Sequence, residues 1–434
     1  MKMNEISVGL LGLGTVGSGV VQIIEDHQEK LMYQVGCPIK VKKILVKSLD
    51  KERAIEVDPS VLTTDVNDVI FDPEIDVVVE VMGGIEQTKK LLLQALKNKK
   101  HVVTANKDLM AVHGSELLTV AAENGCDLFF EASVAGGIPI IRTIVDGLAS
   151  DRINKMMGIV NGTTNFILTK MSQDGASYEA VLKEAQELGF AEADPTSDVE
   201  GLDAARKMTI LATLGFSMRI DLDDVSVQGI TGITEEDLQY GRQLGYTMKL
   251  IGIAQENDGK VEVSVQPTFL SNTHPLASVQ NEYNAVFVRG DAVGETMFYG
   301  PGAGSLPTAT SIVSDLVVVM KNMRLGVNGK SAISPQYPKN MKCRDEIFSK
   351  YFLRLRVSDA TGVFAEITSL FAEHNISFEK ILQLPIKKRE VAEVVLVTHH
   401  ASKKDFEDIL VRLRDLQAVK DIKSFYRVES STSK

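Results

Sequence analysis

The stretch I-S-V-G-L-L-G-L-G-T-V-G, Ile6 to Gly17, decides the fold of this chain. Ile6 to Leu11 is a short apolar run that reads as a strand, and Val20 to Ile24 continues as an amphipathic helix. Strand, G-x-G-x-x-G and helix in that order form a dinucleotide-binding fingerprint in its proper context. Gly12 permits the tight turn, Gly14 lets the backbone approach a pyrophosphate, and Gly17 lets helix and strand pack closely. The phosphate then lies at a helix N-terminus, where amide donors point outward. Gly12, Gly14, Thr15, Val16 and Gly17 are therefore the candidate cofactor loop. The second strand, Val41 to Val46, ends at Lys47-Ser48, where an NAD-selective fold usually carries an acid on the ribose 2′-hydroxyl. A lysine suits a 2′-phosphate, so NADPH is the expected cofactor. Asp50 and Glu52 nearby leave NADH open.

Outward from that unit, strand and helix keep alternating. Ile75 to Val81, His101 to Thr104 and Leu128 to Glu131 read as strands, with helices at Gln87 to Leu96 and Ser115 to Glu123. This pattern predicts an α/β, Rossmann-type, doubly wound parallel sheet over residues 1–139, with ligands at the carboxyl ends of its strands. Two segments fall there. Thr104 to Lys107 places Lys107 just past a strand end. Glu131 to Pro139, E-A-S-V-A-G-G-I-P, exposes carbonyls beside one carboxylate, a set suited to a hard monovalent cation or to a plain strand-to-helix connection.

Bulk properties bound the rest. A chain of 434 residues, 44% hydrophobic, is long enough for two or three domains with real cores. A net charge of −11 argues against a nucleic-acid partner, which would need a basic face. Cys37, Cys126 and Cys343 are far apart and outside any metal spacing, so buried thiols in a reducing compartment are expected. Met1 to Leu11 runs straight into a strand, leaving no signal peptide, and no apolar run reaches the roughly 18 residues of a membrane helix. A soluble cytoplasmic protein without a membrane partner is the expectation.

Residues 140–325 mix helices with longer strands and predict an α+β domain for substrate binding and dimerisation. A strand over Lys155 to Val160 leads into N-G-T-T-N-F, Asn161 to Phe166, where the Gly162-Thr163 amides and hydroxyl open a helix and suit a carboxylate. The most unusual segment is Gly189 to Lys207, G-F-A-E-A-D-P-T-S-D-V-E-G-L-D-A-A-R-K. It carries Glu192, Asp194, Asp198, Glu200 and Asp203 ahead of Arg206 and Lys207. Asp194-Pro195 reads as a turn, and Ser197-x-x-Glu200 as a capping box opening a helix that runs to Leu214. Asp203 and Lys207 stand at i, i+4, on one face. Gly201 in the first turn of that helix gains nothing for a merely solvated helix. Thr234-x-x-Asp237 caps a further helix, Asp258-Gly259 marks a hairpin, and strands follow at Val286 to Arg289 and Met297 to Tyr299. Gly300 to Ser311 is a glycine-rich loop entering an apolar helix near 305–325. That helix returns to the first domain, with Gly302 near the nicotinamide. Residues 326–348 read as a linker, and 349–430 as βαββαβ, a ferredoxin-like unit.

The spacing A-x-x-x-G-F-A-x-x-D-P-x-x-D-V-x-G-x-D-x-x-x-K, from Ala185 to Lys207, resembles the signature of homoserine dehydrogenases at every fixed position. The tail, with D-A-T-G at Asp359 to Gly362 and Asn375 at the next turn, resembles an ACT domain. These resemblances span the chain. They imply NADPH-dependent reduction of L-aspartate 4-semialdehyde to L-homoserine, a step towards threonine and methionine, by a monofunctional enzyme. They further imply Lys207 as proton donor and Lys107 as the second active-site cation and possible sharer of that role. Glu192, Asp198 and Asp203 would hold the substrate ammonium or hydroxyl, with Asp203 alternatively orienting Lys207, and Gly162 and Thr163 would line the amino-acid site. Glu131 and the carbonyls of Val134, Gly136 and Ile138 would hold sodium or potassium. The tail would bind an amino-acid effector such as L-threonine, in a homo-oligomer, dimer or tetramer. Two other classes compete: a Rossmann reductase acting on another carbonyl, and an amino-acid sensor whose reductase fold is a relic. Intact lysines at 107 and 207 speak against the relic.

Overall fold

The computed structural model describes residues 5–330, 335–386 and 390–430. Part of the expected linker (331–334) and part of the tail (387–389) lie outside the described residues. The chain forms two compact units, each assembled from separate segments: 1–156, 206–224 and 284–339 in the first, and 157–205, 225–283 and 340–434 in the second.

The first unit contains a six-stranded parallel sheet in the order 3-2-1-4-5-6 along the chain, with Ile6–Leu11 at its centre. Its central strands, Ile6–Leu11, Val77–Glu80 and His101–Thr104, are buried on both faces, as their near-continuous apolar runs require. The returning helix exists: Ser305–Leu325 packs Ile312, Val313, Leu316, Val319 and Met320 against Val20, Val21 and Ile24 of the Thr15–Asp26 helix and against the sheet. The helix expected from Ser115 starts earlier, at Lys107. Asn106 caps it, its Oδ1 accepting from the Leu109 amide at 3.0 Å. Lys107 is thus the first residue of a helix.

In the second unit a hairpin pairs Tyr246–Asn257 with Lys260–Ser271 across Asp258-Gly259, both at positive φ as a two-residue turn demands. The tail forms the expected βαββαβ. Its last strand, Val419–Glu429, adds in parallel to Lys260–Ser271, and Phe348–Ser358, Val391–Thr398 and Phe378–Ile386 follow antiparallel in that order. Leu353, Leu355, Val394 and Leu396 bury one face against Ile367, Phe371, Phe406 and Leu410 of two helices. An ion pair of 3.2 Å joins Arg354 to fully buried Asp237, and the Tyr426 hydroxyl donates to the same carboxylate at 2.9 Å.

Three expectations fail. The helix Ser197 to Leu214 is two helices, Thr196–Val199 and Leu202–Gly215. Ser197 caps no helix, because the short helix already starts at Thr196 with Pro195 before it; the Glu200 amide donates to the Thr196 carbonyl at 3.0 Å, and the Glu200 carboxylate accepts from Thr231 at 3.2 Å. The break is Gly201, at φ +80°, where a side chain would also meet Val227 and Val265 at 3.2 Å. Finally, Cys343 is exposed, while Cys37 and Cys126 are buried.

Candidate active site

The glycine loop of the first unit has the shape the sequence predicts. Gly12 sits at φ +108°, with the Val81 carbonyl 3.1 Å from where a Cβ would stand. A Cβ on Gly17 would lie 2.3 Å from the Gly12 carbonyl oxygen. Gly14 has open space in front of it, with nothing within 4 Å. Closed behind and open in front, this cradle fits a pyrophosphate at the start of the Thr15–Asp26 helix, whose N-cap has no side-chain acceptor. Lys47 is exposed beyond the second strand. Arg53, which the sequence reading passed over, donates to the Ser48 carbonyl at 2.6 Å, bringing a second cation to that strand end.

Beside the glycine loop, Glu80 ends its strand fully buried and accepts from the amides of Met82 and Gly83, each at 2.9 Å, and from Thr104 at 2.6 Å. Burial pushes its carboxyl up, with those donors opposing. Asn106 donates to the Gly84 carbonyl at 2.7 Å. Glu80 and Asn106 therefore shape the loops after two neighbouring strands and fix the helix start that carries Lys107. Neither stood out in the sequence, because a strand-ending Glu and a helix-capping Asn are common.

The Glu131 to Pro139 loop is built around a buried carboxylate. Glu131 accepts from the amides of Ile141 at 2.7 Å and Arg142 at 2.8 Å, and its own amide donates to Asp315 at 2.8 Å. Arg142 closes the cluster with a 2.5 Å contact to Asp315. Burial raises both carboxyls, that of Asp315 to about 7. Ala135 and Gly136 are consecutive residues at positive φ, +55° and +51°, which re-aims the carbonyls around them. Ionised together, Glu131 and Asp315 would exceed the single Arg142 guanidinium by one negative charge, which a cation would offset, and the Gly136 and Ile138 carbonyls each keep a lone pair beyond the bonds from Ser311 and Ile140. That donor set fits a monovalent cation. Gly302 packs against this loop, its carbonyl 2.4 Å from where a Gly136 Cβ would stand.

The strand Ile153–Ile159 leads into Asn161 of the second unit, the N-cap of the Gly162–Asp174 helix, which accepts from the Thr164 amide at 2.9 Å. The Asn161 amide group donates to Asp198 at 2.6 Å and to Asp203 at 2.9 Å. The Thr163 hydroxyl lies 2.6 Å from the Phe190 carbonyl and 3.3 Å from Asp198. Thr163, Asp198 and Asp203 are thus brought together, with Asn161, to which the sequence alone assigns no role, as the bridge. Gly162 is pressed against the Glu282 carbonyl, 2.6 Å from an added Cβ. Glu192 stands exposed, outside that hydrogen-bonded set, its carbonyl taking Gln186 at 3.1 Å.

Asp203 and Lys207 are both buried, one turn apart on the Leu202–Gly215 helix. The residue beside each candidate lysine makes the link between their helices in the first unit: Arg206 Nε meets Asp108 at 2.8 Å. Below that pair lies a cavity of about 50 Å³, lined by Met110, Gly114, Leu118, Ile210 and Leu214.

Comparison with known proteins places these features in context. A model described as the NAD binding domain of homoserine dehydrogenase matches residues 12–131, one described as homoserine dehydrogenase matches 139–317, and one described as an ACT domain matches 351–418. A homoserine dehydrogenase of Bacillus subtilis is 68% identical over 430 residues, 99% of each chain. The crystal structure of a homoserine dehydrogenase from Thiobacillus denitrificans superposes with a TM-score of 0.92 at 41% identity, covering 98% of each chain. A hyperthermophilic archaeal homoserine dehydrogenase, solved in complex with NADPH, gives 0.62 at 26% identity over 73% of this chain and 97% of its own.

Proposed function

The chain belongs to the homoserine dehydrogenase family and is an NAD(P)-dependent oxidoreductase, and from that premise we propose how its residues divide the reduction of L-aspartate 4-semialdehyde to L-homoserine. The nicotinamide cofactor, when bound, supplies the hydride. Gly12, Gly14, Thr15, Val16 and Gly17 hold its pyrophosphate, and Gly302 flanks its nicotinamide end. Lys47, with Arg53 beside it, favours the 2′-phosphate of NADPH, the form bound by the archaeal relative.

Charge develops on the aldehyde oxygen during reduction, and a buried ammonium stabilises it and donates the proton. Lys207 takes that role and Lys107 is the second cation. The Gly162 and Thr163 amides seat the substrate carboxylate at the helix start. Asp198 and Asp203 take the substrate ammonium or hydroxyl, with Glu192 closing over it from an exposed position. The single observation that carries this reading is the Asn161 bridge: it gathers Thr163, Asp198 and Asp203 into one hydrogen-bonded set, a turn from Lys207. Glu131, with the carbonyls of Val134, Gly136 and Ile138, holds a sodium or potassium ion that neutralises the excess carboxylate.

The ACT unit takes an amino-acid effector such as L-threonine at the Asp359 to Gly362 turn, where Gly362 at φ +92° opens a helix. A homo-oligomer, dimer or tetramer, is supported by the edge strand Gly294–Pro301, which exposes Met297 and Tyr299. Among the described residues no helix is long and apolar enough to cross a membrane, which agrees with a cytoplasmic placement. The test is oxidation of NADPH with L-aspartate 4-semialdehyde, with and without L-threonine. In that assay Lys207→Ala should lose turnover with NADPH affinity intact, and equal loss of both would make Lys207 structural.

A further inference from the structure

Among the described residues Lys249 is the most deeply buried lysine, and its hydrogen bonds go to no carboxylate. It lies on the Tyr246–Asn257 strand, 2% exposed, and its three acceptors are all neutral: Asn165 Oδ1 at 2.9 Å, Thr169 Oγ1 at 3.4 Å and the Val279 carbonyl at 2.5 Å. Three donors meet three acceptors, so the ammonium is satisfied as a hydrogen-bonding group but its charge is not. Desolvation accordingly pulls its pKa down to about 8. The charge is costly here, and what the ammonium supplies in return is three hydrogen bonds that hold neighbouring groups in place.

Asn165, held from one side by Lys249, donates to the carbonyls of Val279, Asn281 and Tyr283 at 3.4, 2.8 and 3.1 Å. Thr169 accepts from the Asn281 amide at 3.2 Å. Asn281 sits at φ +56°, a left-handed conformation that a surrounding network must enforce. The next residue, Glu282, presses its carbonyl onto Gly162. A continuous run of contacts therefore leads from the Lys249 ammonium to the first residue of the helix whose amides face the substrate.

We propose that Lys249 is a positioning residue for the reaction: through Asn165 and Thr169 it holds the 279–283 turn against Gly162 and so fixes the amides that seat the substrate carboxylate. This rests on the assignment of Gly162 and Thr163 to the carboxylate seat. Losing the ammonium frees the turn, and the consequence falls on substrate binding rather than on the cofactor or the proton donor.

The test is steady-state kinetics of Lys249→Met, Thr169→Val and Gly162→Ala beside wild type, with NADPH affinity and the melting midpoint of each. Lys249→Met should raise KM for L-aspartate 4-semialdehyde about tenfold or more, with kcat changed less and NADPH affinity unchanged. Thr169→Val, which removes one contact of the same network, should move KM in the same direction by less, and it carries the test if Lys249→Met does not fold. Gly162→Ala, whose Cβ would collide with the Glu282 carbonyl, breaks the far end of the same run of contacts: a KM unmoved by it refutes the carboxylate seat itself. If Gly162→Ala raises KM while folded Lys249→Met or Thr169→Val only lowers the melting midpoint, the seat stands and Lys249 is merely structural.

Discussion

Stability should depend on pH in a way that one lysine dictates. Burial lowers the Lys249 pKa from 10.5 to about 8, a gap of about 2.5 units, or about 3 kcal/mol at 1.36 kcal/mol per unit. Because the folded pKa lies below the unfolded one, the unfolded chain binds the extra proton between those values, and stability rises with pH there. The penalty is fully present below pH about 8, fades through the window, and is gone above 10.5. Lys249→Met has no such group, so it carries no such slope. Urea unfolding of both proteins from neutral pH to about 10 should show the wild type gaining on the variant by about 2 to 3 kcal/mol. Tyrosines and the other lysines titrate in both proteins and cancel in the difference. The absolute offset at neutral pH is a separate matter, since the variant strands the Asn165 amide oxygen at about 1 to 3 kcal/mol and leaves the Val279 carbonyl only the longer bond from Asn165. Parallel curves across the window would refute the reasoning, because they would mean that the buried ammonium carries no desolvation cost.

Gly201→Ala places a Cβ at φ +80° within 3.2 Å of Val227 and Val265, so it should lose about 1 to 2 kcal/mol in thermal or urea unfolding. An unchanged midpoint would show that the kink between the two short helices is soft. Asp108→Asn weakens the 2.8 Å pair with half-buried Arg206, and should shift stability by less than about 1 kcal/mol while lowering kcat several-fold, because that pair links the lysine-bearing helices. Replacing sodium and potassium with a bulky tetraalkylammonium should reduce activity in the wild type, and Glu131→Gln should abolish the difference between the two salts. Lys249 lies opposite Thr268 in the hairpin, and Thr268 pairs with Arg427 of the last ACT strand. Where L-threonine inhibits, as the effector assignment requires, that inhibition should weaken in Lys249→Met, and an unchanged inhibition curve would place the coupling elsewhere.

What the sequence made legible was local. The Gly12 to Gly17 loop is readable because each glycine answers a backbone demand made within a few residues, or by the neighbouring strand end, and no other residue type meets it. The hairpin at Asp258-Gly259 and the capping box at Thr234 and Asp237 are readable for the same reason. The capping box expected at Ser197 is absent because the helix starts one residue earlier, and the Glu200 amide bonds back to the Thr196 carbonyl rather than to the Ser197 hydroxyl. A four-residue pattern does not say which acceptor wins.

The candidate site was legible in its charges and illegible in its connections. Asp198, Asp203 and Lys207 stand out as ionisable groups spaced along one segment. The group that orients the two carboxylates is Asn161, neutral and some forty positions away in sequence, at a position where an asparagine already has a sufficient local reason to be. Lys249 is harder still, because in sequence it is one lysine in a strand-like run, M-K-L-I-G-I-A, and the alternation of that run does not reveal burial on both faces. Only the fold shows that among the described residues no carboxylate pairs with it, and that its three acceptors lie on an 84-residue-distant helix side chain, an 80-residue-distant hydroxyl and a turn 30 residues on. Sequence marks residues that carry charge to the substrate; the neutral and buried groups that aim them become visible only when distant segments are in contact.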